Sequence, residues 1–303
     1  MVGYLFSGQC SQYAGMGKDL SESFPEAKTI FDRADKVLGF SISSLCFNGP
    51  QEELTKTNNC QPAIVAMTIA CWEAYKSKHP QIDGYMAGLS LGEYSALVAA
   101  GALNFEDAIF LVRRRGEFME EEAARHPGKM LSVIGLDLAK VKEICSQAKT
   151  EIANINCPGQ TVISGAPEAI EKAQTLAKEK GAKLAVILEV SGAFHSSFMR
   201  EAALKLAKEL EKIKITTPRF PVISNVIARP VSSPEEIKQN LIRQVSSGVL
   251  WEDSMKFILS KNVTTFFEFG PGKVLKGLMR RIDPSAEVIS IEKKEDIENM
   301  KRG

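Results

Sequence analysis

Histidine is nearly missing from this chain: there are three in 303 residues, so chemistry that needs an imidazole has few places to go. An excess of charge is missing too. Thirty-eight Lys and Arg stand against 37 Asp and Glu, a formal net charge of +1. Without a surplus of either sign, nucleic acid and anionic membrane surfaces are poor candidates for the main partner. No apolar run reaches the roughly 20 residues of a membrane span. The first eight residues have neither the basic region nor the apolar core of a secretion signal, so a cytoplasmic location is expected. The six cysteines form no C-x-x-C pair, and no histidine stands at zinc-like spacing from them. They read as reduced, mostly buried thiols, and no metal site is expected. Cys10 stands apart because it lies in a glycine-bearing loop. What is present, 44% hydrophobic and 25% charged residues, suffices for a substantial core in one large domain or two unequal ones.

Tyr85-Met-Ala-Gly-Leu-Ser-Leu-Gly-Glu-Tyr94 is the most informative stretch. It reads as a short strand, a serine at a glycine-flanked corner, and an apolar helix closed by Gly101. Gly88, Ser90 and Gly92 make G-x-S-x-G, the pattern of a nucleophile elbow. Such a corner lifts the serine hydroxyl off the sheet and sets it at a helix N-terminus, where unpaired backbone N–H groups can hold an oxyanion. The plainer alternative is a strand-to-helix turn that Ser90 merely caps.

Around this corner the pattern is α/β. A strand at 4–7 feeds the loop Gly8-Gln-Cys-Ser-Gln12, and helices are expected at 24–37, 62–78 and 105 to about 125. His126-Pro-Gly128 then breaks the chain. Strand 130–136, helix 138–148, strands 150–156 and 161–164, helix 167–180 and strand 182–190 follow. In the last strand Leu184, Val186, Leu188 and Val190 share one face. This βαββαβ order is that of a ferredoxin-like unit. The α/β pattern resumes with helix 199–213, strand 220–227, helices 234–245 and 251–261, strand 264–269 and helix 273–282. The division expected is a large α/β domain with a parallel-sheet core, residues 1–127 and 193–303, carrying a small ferredoxin-like insert, residues 128–192. A cleft between two such parts is a usual place for a small-molecule site.

A serine nucleophile needs a base. His79 and His126 each follow a helix and precede proline, which a helix stop explains. His195, in Val-Ser-Gly-Ala-Phe-His-Ser-Ser-Phe, stands where the chain leaves the insert, so it is the partner expected for Ser90. No aspartate identifies itself as a third member, and a backbone carbonyl can orient a histidine instead. In the helix at 105–125, Arg113 and Arg114 have Glu117 at i+4 and i+3 and read as solvated pairs. Arg115 falls in the apolar stripe with Ala108, Leu111, Val112, Phe118 and Met119. A buried cation needs an anion. It meets either a buried Asp or Glu or, as a bidentate clamp, the carboxylate of a substrate.

These motifs together resemble the malonyl-CoA:acyl-carrier-protein transacylase family, from Phe6 to about Arg281. The family's G-Q-G-S-Q has its counterpart in Gly8-Gln-Cys-Ser-Gln12, and G-H-S-L-G-E in Gly88-Leu-Ser-Leu-Gly-Glu93. Arg115-Gly-Glu-Phe-Met119 and Asn154-Ile-Asn-Cys-Pro-Gly-Gln160 follow in order, as do Gly192-Ala-Phe-His195, Ser224-Asn-Val226 and Gly270-Pro-Gly-Lys-Val-Leu275. The resemblance implies the same architecture, a hydrolase-like α/β domain carrying a ferredoxin-like insert, and ping-pong transfer of malonyl from malonyl-CoA to Ser90 and on to the phosphopantetheine thiol of an acyl carrier protein. His195 would be the base, and the N–H groups of Gln9 and Leu91 the oxyanion hole. Arg115 would hold the malonyl carboxylate, and Asn156 would line the pocket. The carbonyl that orients the histidine in the family maps near Leu250. Phe194, just before the base, would lie beside the acyl chain and leave no room for a branch methyl.

The resemblance implies no bound cofactor, fatty acid synthesis as the pathway, and a monomer. The same chemistry would also suit a trans-acting acyltransferase of a polyketide synthase or an acyl-thioester hydrolase; a non-catalytic carrier-binding scaffold fits the intact Ser90, His195 and Arg115 poorly. Lys273, Lys276, Arg280 and Arg281 offer one helix face to an acidic carrier, or are simply solvated. Two departures stand out: Leu89 replaces the usual histidine before the nucleophile, and Cys10 replaces a glycine beside the oxyanion donor.

Overall fold

The computed structural model describes residues 1–300. Strand β1 (Val2–Phe6) leads into four short-to-medium helices, α1 (Lys18–Ser23), α2 (Pro25–Leu38), α3 (Ile42–Asn48) and α4 (Gln51–Thr55), and then the long α5 (Thr57–Lys78). The elbow follows as β2 (Gly84–Gly88) and α6 (Gly92–Ala99), then α7 (Phe105–Arg125). The insert comprises β3 (Lys129–Ile134), α8 (Leu138–Ala148), β4 (Glu151–Cys157), β5 (Gln160–Gly165), α9 (Pro167–Glu179) and β6 (Leu184–Ile187). The chain then returns through α10 (Arg200–Glu211), β7 (Val222–Ile223), α11 (Pro234–Val245), β8 (Val249–Leu250), α12 (Trp251–Leu259), β9 (Thr265–Phe269), α13 (Val274–Ile282), β10 (Glu287–Ile291) and α14 (Lys294–Glu298).

The large sheet has the order β10-β9-β1-β2-β7 and is parallel throughout. Parallel strands are covered on both faces, so they are apolar on both sides rather than alternating. All five residues of β1, Val-Gly-Tyr-Leu-Phe, are buried. Tyr4 and Phe6 pack against Trp72 of α5 on one face, while Leu5 joins a separate cluster with Trp251 and Met255 of α12 on the other. Helix α5 carries Pro62 inside its second turn. Proline cannot donate to the carbonyl four residues back, and that carbonyl, of Asn58, accepts from Arg113 Nη1 at 3.0 Å instead.

The second sheet has the order β6-β3-β5-β4-β8. Its first four strands are antiparallel and have the ferredoxin-like arrangement, with α8 and α9 packed on one face over Leu131, Val133 and Ile163. The fifth strand comes from outside the insert: β8 pairs parallel with β4, Asn154 opposite Val249 and Ile155 opposite Leu250. The return segment of the chain therefore stitches the two sheets together.

Three local expectations differ. Strand β6 spans four residues rather than nine, and its shared face is split. Leu184 and Val186 are exposed at the sheet edge, where nothing covers them, while Leu188 and Val190 continue past the strand into the cleft. The strand expected at 220–227 shrinks to Val222–Ile223, because Ala228 takes a left-handed φ of 50° and the chain turns back, Ala228 N–H donating to Ser224 O. Helices α1, α3, α4 and α14 are too short to leave a periodic trace, and strand β10 is not among the expected elements.

Candidate active site

The elbow is built as its glycines demand. A Cβ on Gly88 would lie 2.0 Å from backbone atoms of Gly92, and one on Gly92 would lie 2.2 Å from the carbonyl oxygen of Phe6. Neither position admits a side chain, and the two strands and the helix close in on each other there. Ser90 at the corner has a left-handed φ of 51°. A non-glycine residue in that region carries strain that the surroundings must hold. They do so through Asn225, whose Oδ1 accepts the Ser90 N–H at 2.6 Å and whose Nδ2 donates to Gly88 O at 2.8 Å.

His195 Nε2 lies 2.7 Å from Ser90 Oγ, and its Nδ1 lies 2.8 Å from the backbone oxygen of Gln244. A carbonyl can only accept, so Nδ1 carries the proton and Nε2 is the free base. The carbonyl is that of Gln244, not of Leu250 as the resemblance placed it. Gln244 sits in the last turn of α11, where carbonyls lack a helical partner and are free to accept. The Leu250 carbonyl is taken by Ser254 Oγ at 2.7 Å, and its N–H donates to Asn225 O at 2.8 Å, so Leu250 supports the site only through Asn225. His195 is buried, with a left-handed φ of 56°. Burial, and then the Arg115 charge, lower its pKa to about 4. The imidazole is neutral at pH 7, as a base must be. The preceding residue is tethered to the small sheet: Ser164 Oγ of β5 donates to Phe194 O at 2.6 Å.

Arg115 is 1% exposed, yet no carboxylate lies within ion-pair distance of it among the described residues. Its Nη1 donates to Gln61 Oε1 at 2.9 Å, and its Nη2 reaches Gln244 Oε1 and Ser90 Oγ, each at 3.3 Å. Its Nε has no partner. Burial lowers its pKa. The neighbouring arginines are paired as the spacing predicts: Arg113 Nε meets Glu117 at 2.8 Å and Arg114 shares the same carboxylate. Of the two ways to satisfy Arg115 left open by the sequence, the buried ion pair is absent.

A cavity of about 160 Å³ opens over these groups. Ser90, His195 and Arg115 line it together with Phe194, Asn156 and Gln9. The Oδ1 of Asn156, buried and without a partner among the described residues, is a further unmet polar group in its wall. An outer cleft of about 460 Å³ shares Gln9, Cys10 and Val190 with it. Among the described residues, the N–H groups of Gln9 and Leu91 donate to no other protein group. Cys10 is exposed, with φ 73°, and is the one of six free cysteines that is not buried. The other two histidines lie elsewhere: His79 stacks on Tyr75 and contacts Ile297 O at 3.0 Å, and His126 is exposed at the end of α7.

Sequence reasoning missed Gln61 and Gln244, and it quoted Glu93 and Asn225 within motifs without giving them a role. Glu93 is 2% exposed; its Oε2 accepts from Asn225 N–H at 3.0 Å and from Gln244 Nε2 at 2.7 Å. Burial pushes its pKa up to about 7. Gln244 Nε2 also donates to Ser90 O at 3.0 Å, so one glutamine touches the nucleophile, the base, the arginine and the buried acid.

Residues 3–302 match the family model described as an acyl transferase domain. The chain is 47% identical over 302 residues to the malonyl CoA-acyl carrier protein transacylase of Bacillus subtilis strain 168, covering 98% of this chain and 95% of that one. In structure it is similar to an acyl carrier protein S-malonyltransferase from Vibrio cholerae O1, with a TM-score of 0.96, 38% identity and 99% of each chain covered. A malonyl-transacylase solved in complex with a type II polyketide synthase acyl-carrier protein superposes with a TM-score of 0.95 at 39% identity, covering 98% of this chain and 97% of that one.

Proposed function

Because the chain belongs to the acyl transferase domain family, we propose that it transfers malonyl from malonyl-CoA to the phosphopantetheine thiol of an acyl carrier protein, through a malonyl ester on Ser90. The observation that carries this reading is a buried arginine without a carboxylate, 3.3 Å from the hydroxyl that the free base also holds. A site built to read only the thioester would have no use for that charge. A substrate with an acyl carboxylate supplies the anion that would touch it directly.

In the first half-reaction Ser90 Oγ attacks the thioester carbon as its proton passes to His195 Nε2. The N–H groups of Gln9 and Leu91 receive the oxyanion, and losing one such donor typically costs about 3 kcal/mol. The C–S bond then breaks, and the coenzyme A thiol leaves with the proton from His195. The second half-reaction runs the same steps backwards with the carrier thiol as nucleophile. Ser90, His195 and two thiols balance the sequence, so the reading needs no bound cofactor. Fatty acid synthesis is the pathway proposed, in the cytoplasm, with the chain acting as a monomer. A polyketide carrier is the second reading, favoured by the likeness to the malonyl-transacylase solved with such a carrier. The exposed face of α13, with Lys276, Arg280 and Arg281 and with Lys273 at its start, is offered to an acidic carrier of either kind.

The test is covalent. Malonyl-CoA alone should add one malonyl group to the Ser90 peptide by mass spectrometry, and added holo-carrier protein should remove it. Ser90→Ala should show neither event. An adduct on Cys10 instead would overturn the mechanism.

A further inference from the structure

Glu93 is a buried carboxylate that the transfer steps do not use. It stands on α6, three residues past the nucleophile, and touches Arg115 only through an intervening side chain. Gln244 Nε2 donates to Glu93 at 2.7 Å, and Gln244 Oε1 accepts from Arg115 at 3.3 Å. The Gln244 amide group bridges the two charges. Few other ionisable groups face them. Strands β1, β2 and β7 carry no Asp, Glu, Lys, Arg or His, and the buried residues of α5 include none. Arg115 comes from α7, His195 lies beyond Gln244, and Tyr94, on the same helix as Glu93, has its ring 5.8 Å from the Arg115 guanidinium. On α11, Arg243 points outward to solvent.

Charge counting then separates the empty and loaded site. With Glu93 ionised, the empty pair is neutral, and a second carboxylate bound at Arg115 leaves the buried cluster at −1. With Glu93 protonated, the loaded cluster is neutral instead. Buried like charges disfavour each other, so a carboxylate on Arg115 favours the protonated form of Glu93. By linkage the reverse holds as well: protonation of Glu93 favours the carboxylate-bearing acyl group.

We propose that Glu93 is the charge-balancing and positioning residue for Arg115: it neutralises the guanidinium through Gln244 in the empty enzyme and takes up a proton when a carboxylate-bearing acyl group is loaded. Acylation by malonyl-CoA is thereby coupled to proton uptake, and acylation by acetyl-CoA is not. Burial pushes the Glu93 pKa up to about 7, so the coupling falls near neutral pH. This rests on the malonyl-serine reading above.

The ester-forming step itself neither consumes nor releases a proton at neutral pH, since a thiol leaves for a hydroxyl consumed. A single-turnover acylation in weak buffer with an indicator dye therefore reads Glu93 alone. Taking the coupling as about one pKa unit, an interaction of two charges across a short span of protein, about half a proton per malonyl adduct should be taken up at pH 7.5. Acetyl-CoA should give none. Glu93→Gln keeps an oxygen that can accept from Asn225 and Gln244 and removes the charge. It should still form the malonyl adduct, with no uptake. The kcat/KM preference for malonyl-CoA over acetyl-CoA should fall several-fold, at most about tenfold, from pH 6 to 8.5 in the wild type and stay flat in Glu93→Gln. A wild type that forms the adduct without uptake overturns the proposal, and the wild-type measurement does not depend on the variant folding. Uptake that persists in Glu93→Gln assigns the proton elsewhere and also overturns it. If malonyl-CoA gives no Ser90 adduct, the functional reading fails first, and the mass spectrum shows which has failed.

Discussion

The two faces of α7 treat the same side chain in opposite ways. On the outer face Arg113 and Arg114 are part-exposed, share Glu117, and Arg114 lies over the ring of Phe118 at 4.6 Å. One residue further along, a turn of about 100° carries Arg115 inside, where it is 1% exposed and holds only glutamine and serine oxygens. Paired surface charges contribute little, typically under 1 kcal/mol. Burying a charge with no carboxylate in direct contact, its nearest acid held off by an intervening glutamine, is a matter of several kcal/mol. A fold that keeps such a charge does so for something that arrives later. The difference teaches where to look for a ligand: at the cation that no carboxylate touches directly, rather than where cations are most numerous.

The seam holding Arg115 and the surface holding Arg113 and Arg114 should respond to mutation on different scales. The largest effect belongs to the base. His195→Ala should slow acylation by about 10²- to 10⁴-fold, because a positioned proton acceptor is lost, while His79→Ala and His126→Ala stay near wild type. Loss of activity in either of those would move the base out of the seam. The pH profile sharpens the point. Burial depresses the His195 pKa to about 4, so the base stays neutral as pH falls through 6.5 and is lost only as pH approaches 4. With acetyl-CoA, which has no carboxylate to couple to Glu93, kcat/KM should be level from pH 7 to 5.5 and fall below 5. A drop centred near 6.5 would mean that the imidazole is not desolvated.

How much of this was legible depends on distance along the chain. Ser90 and its two glycines lie in five consecutive residues, and Arg115 declares itself by falling in an apolar stripe, so local pattern found both. His195 was reached by elimination among three. Asn225 and Gln244 are 135 and 154 residues from Ser90, and only the β2–β7 pairing and the end of α11 bring them to it. A lone glutamine near a helix end carries no pattern. The Leu250 assignment failed for the same reason: which carbonyl reaches the histidine is set by where α11 frays into Ser246-Ser-Gly248, and a loop has no period to count. Likewise, the alternation of Leu184 and Val186 is real, but alternation alone does not say that β6 is the edge strand and that the face is open there.

A steric change inside the seam should act on an intermediate scale. Phe194 lines the cavity beside Ser90 and is 5% exposed. A branch methyl beside its ring overfills the site at a cost of roughly 1–3 kcal/mol, a preference of about tenfold to a hundredfold for malonyl-CoA over methylmalonyl-CoA. Phe194→Ser should narrow that gap; a wild type that takes both thioesters equally would remove Phe194 from the specificity wall. The smallest effect is on the outer face, where Arg114→Ala should change stability and kcat/KM by no more than about 0.5 kcal/mol. A large loss there would erase the contrast between the two faces.

The contrast itself is tested by measuring kcat/KM for malonyl-CoA and acetyl-CoA on the wild type, Arg115→Ala and Arg114→Ala side by side. Arg115→Ala should lose malonyl transfer by something on the order of 2–5 kcal/mol, the cost of breaking a buried charge pair. It should keep far more of its acetyl activity, and Arg114→Ala should leave the ratio where it was. Equal loss of both substrates in Arg115→Ala would make that arginine a structural element of the seam and contradict its role as the reader of the acyl carboxylate.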